Sequence, residues 1–355
     1  MLHTEASTGF GGQEIRIVVE AGWLATHGWN VVIAGQPDSP LLAEAAGAGL
    51  DTAAVRMRGP LDPLAFVSLR RLLREHAVDV IHTHSSVDSW LGGLAARSRG
   101  VRVVRSRHVS IPIRGAVVYR LAHRVITSGD AVADIVAGAG VPRDRIVSIS
   151  PGVDMRRFHA DVSGAAVRAE LGLQGPTVGL VANVRGSKGH RYFLEAARAV
   201  LAAAPHTRFV IVGDGVGFED VRRRVRELSL DGPVIMTGFR RDVPELMAAF
   251  DLLVLPSIKS EASSQVIPQA LAVGTPVVAT TVGGSPELIR DGETGRLVPP
   301  ADPKALAEAI LEMLGDPERA REMARRGQAT VRERLSIDAV MTRTASVYEG
   351  LLRGR

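Results

Sequence analysis

Short, continuously apolar, β-branched runs separated by stretches of helical length constrain this chain more than any other feature. The runs are VVIAG from 31, DVIHTH from 79, VRVVRS from 101, RVITS from 124 and RIVSIS from 145. A second series follows: TVGLVAN from 177, RFVIVG from 208, VIMTG from 234, DLLVLPS from 251 and TPVVAT from 275. Strands that are apolar throughout, rather than on alternate residues, are covered on both faces, as in a parallel sheet flanked by helices. Each half therefore reads as doubly wound α/β. The run IRIVVEAGWL from 15 is predicted to be a helix stopped at Gly28, on the spacing of Ile15, Val19, Gly22 and Trp23. Residues 151–176 hold no clear strand and are punctuated by Pro and Gly, so the boundary between the halves is expected there. After Pro299 three helices follow, each beginning at an Asp or Ser suited to N-capping.

Composition narrows what such a fold can do. With 355 residues, 46% hydrophobic and 23% charged, the chain is long enough for two packed cores. No apolar run approaches the roughly 18 residues of a membrane span, and the start lacks a basic-then-apolar leader, so a cytoplasmic protein is expected. Zero Cys removes disulfides, thiolate zinc sites and Cys nucleophiles. The net charge is +5, and its excess is local: residues 97–124 hold eight Arg and no acid. Such a stretch attracts anions. Aromatics are only 4% of the chain and Tyr119 is the sole one in that stretch, so nucleic acid is not the expected partner.

Several turns carry groups suited to a phosphorylated ligand. TGFGG at 8–12 places Gly11 and Gly12 where backbone can approach a ligand at a helix start. NVRGSKGH at 183–190 ends a strand and opens a helix, with Arg185 and Lys188 beside the helix dipole; Lys188 is one of three Lys in the chain. GDGVGFED at 213 has Phe218 where a dinucleotide fingerprint needs its third Gly, and reads as a tight strand-to-helix turn. In the segment 258–289, Glu261 and Gln269 flank Ser263 and Ser264, which suit the cap of a helix holding Gln265 and Gln269. Pro268 then requires that the helix begin near Ser264 or Gln265. A carboxylate before that helix and an amide inside it can hold two hydroxyl-rich parts of one ligand. His82 and His84 share a strand end and point the same way; lacking further ligands, they suggest a cleft lining rather than a metal site.

Taken in order, these pieces resemble a GT-B glycosyltransferase of family 4. The resemblance rests on TGFGG, VIHTHSS at 80, SRH at 106–108, PGVD with Phe158, KG at 188, VGDG at 212, TGF at 237, LPS at 255, and Glu261 with the trailing GTPVVAT and GGSPELI. It implies two facing doubly wound, Rossmann-like domains with a C-terminal helix crossing back to the first. The divisions implied are an acceptor domain over 1–160, a nucleotide-sugar domain over 161–335 and the returning helix over 336–355. It implies catalytic roles for Glu261, at the donor sugar, and His108. Donor contacts are implied for Gly12, Lys188, Ser264, Gln265 and Gln269. Gln269 stands where the family has a second glutamate, on the ribose. Arg185 lies only three residues before Lys188, where the family's diphosphate Arg sits five or six before. ASS replaces the family's glycines after Glu261.

The activity implied is retaining transfer of a sugar from a UDP- or GDP-type donor, without metal or other cofactor. SSVDSW together with EASSQVIPQALA resembles bacterial members that act in cell-envelope polysaccharide synthesis, so a glycan or lipid-linked acceptor is expected. His84, Arg105 and Arg107 are the acceptor-side candidates, and the 97–124 stretch with Arg56 and Arg58 suits either an anionic membrane surface, at the inner face of the cytoplasmic membrane, or a phosphorylated lipid-linked glycan. A same-fold nucleotide-sugar epimerase and a noncatalytic nucleotide-sugar-binding protein are the competing readings; the first would release a changed sugar without an acceptor, the second would turn nothing over.

Overall fold

The structure, a computed structural model, describes residues 1–113, 115–259 and 261–354. It divides into two compact units: Met1–Gly152 together with the chain from Asp338 onward, and Val153–Ile337. The division lies at 152/153 because Val153 and Phe158 are already buried in the second unit, against Leu246, Met247 and Phe250.

The first unit is built on a parallel sheet of seven strands: β1 (Leu2–Glu5), β2 (Val32–Gly35), β3 (Asp51–Ala54), β4 (Val80–Thr83), β5 (Arg102–Arg107), β6 (Arg124–Thr127) and β7 (Ile146–Ser148). Their spatial order is β3-β2-β1-β4-β5-β6-β7. The chain thus winds outward in one direction from β1 and in the other from β4, and ligands of such sheets bind at the carboxyl ends where the direction reverses. Sequence periodicity misses β3 and β1 in this sheet, and of the two β1 matters for the site. Three of its four residues, His3, Thr4 and Glu5, are polar, yet all four are buried.

The helix Gly12–Thr26 follows β1, and Gly28 beyond it has φ 85°. The expected helix is there, but its buried side is Ile17, Ala21 and Leu24, whereas Ile15 and Val19 face outward. Burial of Arg16 and Glu20, which pair at 2.5 Å, explains the rotation: a neutralised ion pair occupies part of the inner face. The last helix, Ile337–Arg353, packs in this unit. Tyr348 is fully buried and its hydroxyl lies 2.8 Å from His82 Nδ1; Trp23 Nε1 donates to Asp338 at 2.7 Å and Arg343 to the Ser148 carbonyl at 2.9 Å.

The second unit holds β8 (Thr177–Val181), β9 (Arg208–Val212), β10 (Val234–Gly238), β11 (Leu252–Leu255), β12 (Val277–Thr280) and β13 (Arg296–Val298), all parallel, in the order β10-β9-β8-β11-β12-β13. The same winding rule applies, with its reversal between β8 and β11. One face packs Phe193, Leu194 and Val200 against Phe209 and Ile211; the other packs Ile267 and Leu271 against Leu253 and Val277. Asp302 and Asp316 cap the helices Pro303–Gly315 and Pro317–Arg334 by accepting from Lys304, Ala305 and Arg319 N–H groups.

Candidate active site

The reversal point of the second unit gathers the motif residues. After β8 the chain makes a one-turn 3-10 helix, Gly186–Lys188, and enters the helix His190–Ala203. Gly189 joins them at φ 73°, and a side chain there would meet the Pro256 carbonyl oxygen at 1.8 Å. Only glycine lets this turn close on the segment after β11. Lys188 is thereby held with its Nζ 2.6 Å from Glu261 Oε2, both side chains largely buried. Ser257 Oγ donates to the same carboxylate oxygen at 2.7 Å, and Thr280 Oγ1 fixes Ser257 through its carbonyl at 2.5 Å. Gly283, at φ 56°, brings the loop after β12 onto the Glu261 backbone; Gly284 N–H donates to the Glu261 carbonyl at 3.1 Å.

The helix Val266–Val273 begins one residue after Gln265, so Pro268 falls in its first turn, where a missing N–H costs no helical bond. Ser264 is buried and its Oγ accepts from the Ile267 N–H at 3.3 Å. Gln265 Nε2 is buried with no partner among the described residues, and Gln269 is half-buried. Arg185 is exposed, three residues before Lys188. The GDG turn after β9 packs on this segment: a side chain at Gly213 would meet the Ala182 carbonyl oxygen at 2.0 Å, which supports the tight-turn reading.

In the first unit the reversal point lies between β1 and β4. His3 and His82 are register partners, and His84 follows on the same side of β4. His3 Nδ1 is 3.0 Å from His84 Nε2, and His84 Nδ1 is 3.2 Å from His108 Nε2. His82 Nε2 meets Ser106 Oγ at 2.8 Å. Burial holds all of these imidazoles neutral: His3 is pulled down to about 3, and His82, His84 and His108 lie well below the usual value. Among the described residues, the ligand atoms of His3, His82 and His84 come within 4.8 Å of one another. Both His82 nitrogens are nevertheless engaged, with Ser106 and Tyr348, and Arg16 adds positive charge nearby, so the arrangement works as a hydrogen-bonded network.

Beside it, Asp88 accepts from Thr4 Oγ1 and from the His84 and Ser85 N–H groups. Glu5 accepts from the Ser7 N–H at 2.8 Å; burial, with Asp88 close by, pushes its carboxyl up to about 7. Gly12 is exposed at the start of its helix, where Glu14 already accepts the Gly11 N–H at 2.8 Å.

Both halves also match described families. The model for Glycosyltransferase Family 4 matches residues 10–157, and that for Glycosyl transferases group 1 matches residues 175–316. The chain belongs to glycosyltransferase family 4. This glycosyltransferase is 28% identical over 291 residues to a GDP-mannose-dependent alpha-(1-6)-phosphatidylinositol monomannoside mannosyltransferase of Mycolicibacterium smegmatis, covering 75% of each chain. It is 26% identical over 276 residues to the UDP-Gal:alpha-D-GlcNAc-diphosphoundecaprenol alpha-1,3-galactosyltransferase of Escherichia coli, covering 72% of this chain and 71% of that one. HepE of Anabaena, solved in complex with UDP, matches with a TM-score of 0.89 at 21% identity, over 98% of this chain and 99% of its own. That likeness shows the GT-B fold.

The arginine-rich stretch of the glycosyltransferase is not one continuous basic face. β5 runs through it and sends successive residues to opposite sides. Arg97, Arg102, Arg107 and Arg124 each donate to backbone carbonyls, and Arg105 is buried with its guanidinium 3.9 Å from the Tyr119 ring centroid. Arg114 lies outside the described residues. Arg107 also spans the loop that carries His108, reaching the Val109 and Ile111 carbonyls at 3.1 and 2.5 Å. Ser257, Thr280 and His3 escaped sequence reasoning. Ser257 follows an apolar strand in LPS and had no visible partner; His3 sits in a strand without apolar signal.

Proposed function

We propose that this glycosyltransferase transfers a sugar from a nucleoside diphosphate donor with retention, without a metal, to a lipid-linked or glycan acceptor of the bacterial cell envelope. The observation that carries the donor side is the Lys188–Glu261 contact at the carboxyl ends of β8 and β11. A diphosphate entering there takes the ammonium as its counter-ion, and the freed carboxylate, still held by Ser257, accepts from sugar hydroxyls. As the bond between the anomeric carbon and the phosphate oxygen breaks, its electron pair goes to the diphosphate. Lys188, exposed Arg185 and the free N–H groups of the Val266–Val273 helix face the growing charge, and such preorganised donors supply the largest share of rate enhancement. The acceptor oxygen attacks the same face and its proton passes to the leaving phosphate. Gln269 serves the ribose as a neutral hydrogen-bonding group. His108 contributes a hydrogen bond to the transferred sugar, and Gly12 a backbone approach to the diphosphate.

The acceptor side rests on the first unit and on the relatives, whose names specify a phosphatidylinositol mannoside and a diphosphoundecaprenol acceptor. Leu61, Leu64 and Val67 are 81%, 68% and 62% exposed, and Arg56, Arg58 and Arg74 in the same stretch of chain are exposed as well. Exposed apolar groups and cations suit the surface of an anionic bilayer, and on this reading the protein works peripherally at the inner face of the cytoplasmic membrane; of the acceptor-side candidates Arg107 remains, whereas His84 and Arg105 are buried and engaged within the first unit. No helix among the described residues is long and apolar enough to cross a membrane.

A thermal-shift panel of UDP- and GDP-sugars with chelator present tests the donor reading. A true donor raises Tm by mass action, and Lys188→Met abolishes the shift. A panel that moves Tm only with added divalent metal, or equally in Lys188→Met, refutes it.

A further inference from the structure

Three imidazoles form a line from the core of the first unit outward: His3, His84 and half-buried His108, joined by nitrogen contacts of 3.0 and 3.2 Å. Burial keeps each neutral, so each carries one N–H. Only two arrangements of three protons satisfy both contacts. In the first, His84 donates from Nε2 to His3 and His108 donates from Nε2 to His84. That leaves His3 with its proton on Nε2, an atom buried with no partner among the described residues. In the second, His3 Nδ1–H donates to His84 Nε2, and His84 Nδ1–H donates to His108 Nε2. The atom left over is then a bare lone pair on His3. Orphaned buried N–H groups are the rarer of the two defects in folded proteins.

We propose that His3 and His84 are positioning residues that fix the tautomer of His108, leaving it protonated on Nδ1 so that it meets its ligand as a hydrogen-bond donor and not as a base. The polarity is set at the inner end, by a residue on β1 that has no access to substrate. His84 transmits it because a neutral imidazole that accepts on one nitrogen must donate from the other. The kinetic consequence alone rests on the proposed contact of His108 with the sugar; the tautomer itself does not.

Imidazole nitrogen NMR of ligand-free, 15N-histidine-labelled protein tests it, since protonated and bare ring nitrogens resonate far apart and His108→Gln identifies the signals. The expected spectrum shows His108 protonated on Nδ1 and bare on Nε2. In His3→Met, which donates nothing to His84, His108 becomes a mixture of tautomers; in His3→Asn, whose carboxamide can donate in place of Nδ1, the single tautomer returns. kcat falls roughly tenfold in His3→Met, with KM for the nucleotide sugar within about twofold, and recovers in His3→Asn, the size of one lost hydrogen bond. Wild-type His108 protonated on Nε2, or an unchanged tautomer in His3→Met, overturns the proposal. The expected spectra with an unchanged kcat support the tautomer assignment and remove His108 from the transfer step.

Discussion

Lys188 Nζ and Glu261 Oε2 stand 2.6 Å apart although 73 residues separate them in the chain. They meet because β8 and β11 are hydrogen-bonded neighbours, so the turns leaving their carboxyl ends emerge side by side. Without donor the pair neutralises itself; under the proposed function each partner would acquire a ligand group of its own when donor binds.

That arrangement separates stability from activity. Lys188→Met leaves a buried carboxylate supported by Ser257 alone and costs on the order of 2 kcal/mol of stability. Adding Glu261→Gln removes the stranded charge and restores most of the loss in urea unfolding. Turnover falls about 100-fold or more in both single variants and does not return in the double variant. Recovery of turnover alongside stability would show that the pair is structural only.

Gly283 gives a second handle on Glu261. A side chain at this position would lie 1.6 Å from the Glu261 carbonyl oxygen, on a backbone with φ 56°. Gly283→Ala must therefore displace the loop or the glutamate, at a cost of at least about 1–2 kcal/mol. The expected outcome is a lowered Tm and a weakened donor-induced thermal shift. At Gly292, also at positive φ but with open space around it, alanine brings the backbone strain without touching the site, and the donor shift survives. Equal donor shifts in both variants would detach Gly283 from the site.

The exposed apolar residues predict the membrane behaviour. Sedimentation with vesicles containing anionic lipid should carry the protein down, and the double variant Leu61→Ser, Leu64→Ser should stay in solution with unchanged Tm, since both side chains are largely solvent-exposed. Binding to neutral and anionic vesicles alike would eliminate the contribution of Arg56, Arg58 and Arg74.

Acid sensitivity follows from the buried imidazoles. His3, pulled down from 6.5 to about 3, contributes stability that is present above pH 6.5 and is lost as the pH falls toward 3, roughly 2 kcal/mol by pH 5. Glu5, pushed up from 4.5 to about 7, runs the other way: its contribution is full below pH 4.5 and lost as the pH rises through 7, so acidification recovers about as much as His3 loses. Asp88, raised by burial, adds to the side of Glu5; His82, His84 and His108, all lowered by burial, and His190 and His123, both at about 4, oppose these two carboxyls and outnumber them. The urea midpoint falls between pH 7.5 and pH 5. A midpoint that holds steady over that range would mean these imidazoles are not kept neutral.

Much of the molecule was decided by local sequence. Continuous apolar runs such as FVIV at 209–212 and LLVL at 252–255 have no stable place except in a sheet covered on both faces, and the intervening amphipathic stretches supply the covers. The glycine-flanked Lys188 and the Ser264-capped helix with Pro268 in its first turn were legible for the same reason: capping and turn chemistry act over a few residues. Tertiary structure alone decided what depends on long-range neighbours. β1 hides from hydrophobic periodicity because its polar residues are buried by hydrogen bonding, not by being apolar: His3 and Thr4 pair with His84 and Asp88, about 80 positions away, and Glu5 accepts from Ser7 and Gln13. The inner face of the Gly12–Thr26 helix turned on whether Arg16 and Glu20 could be neutralised there. Strand order brought Ser257 and Lys188 to one carboxylate and lined up His3, His84 and His108. Periodicity records which residues leave water, whereas the partner each one finds is settled only when the strands have taken their places.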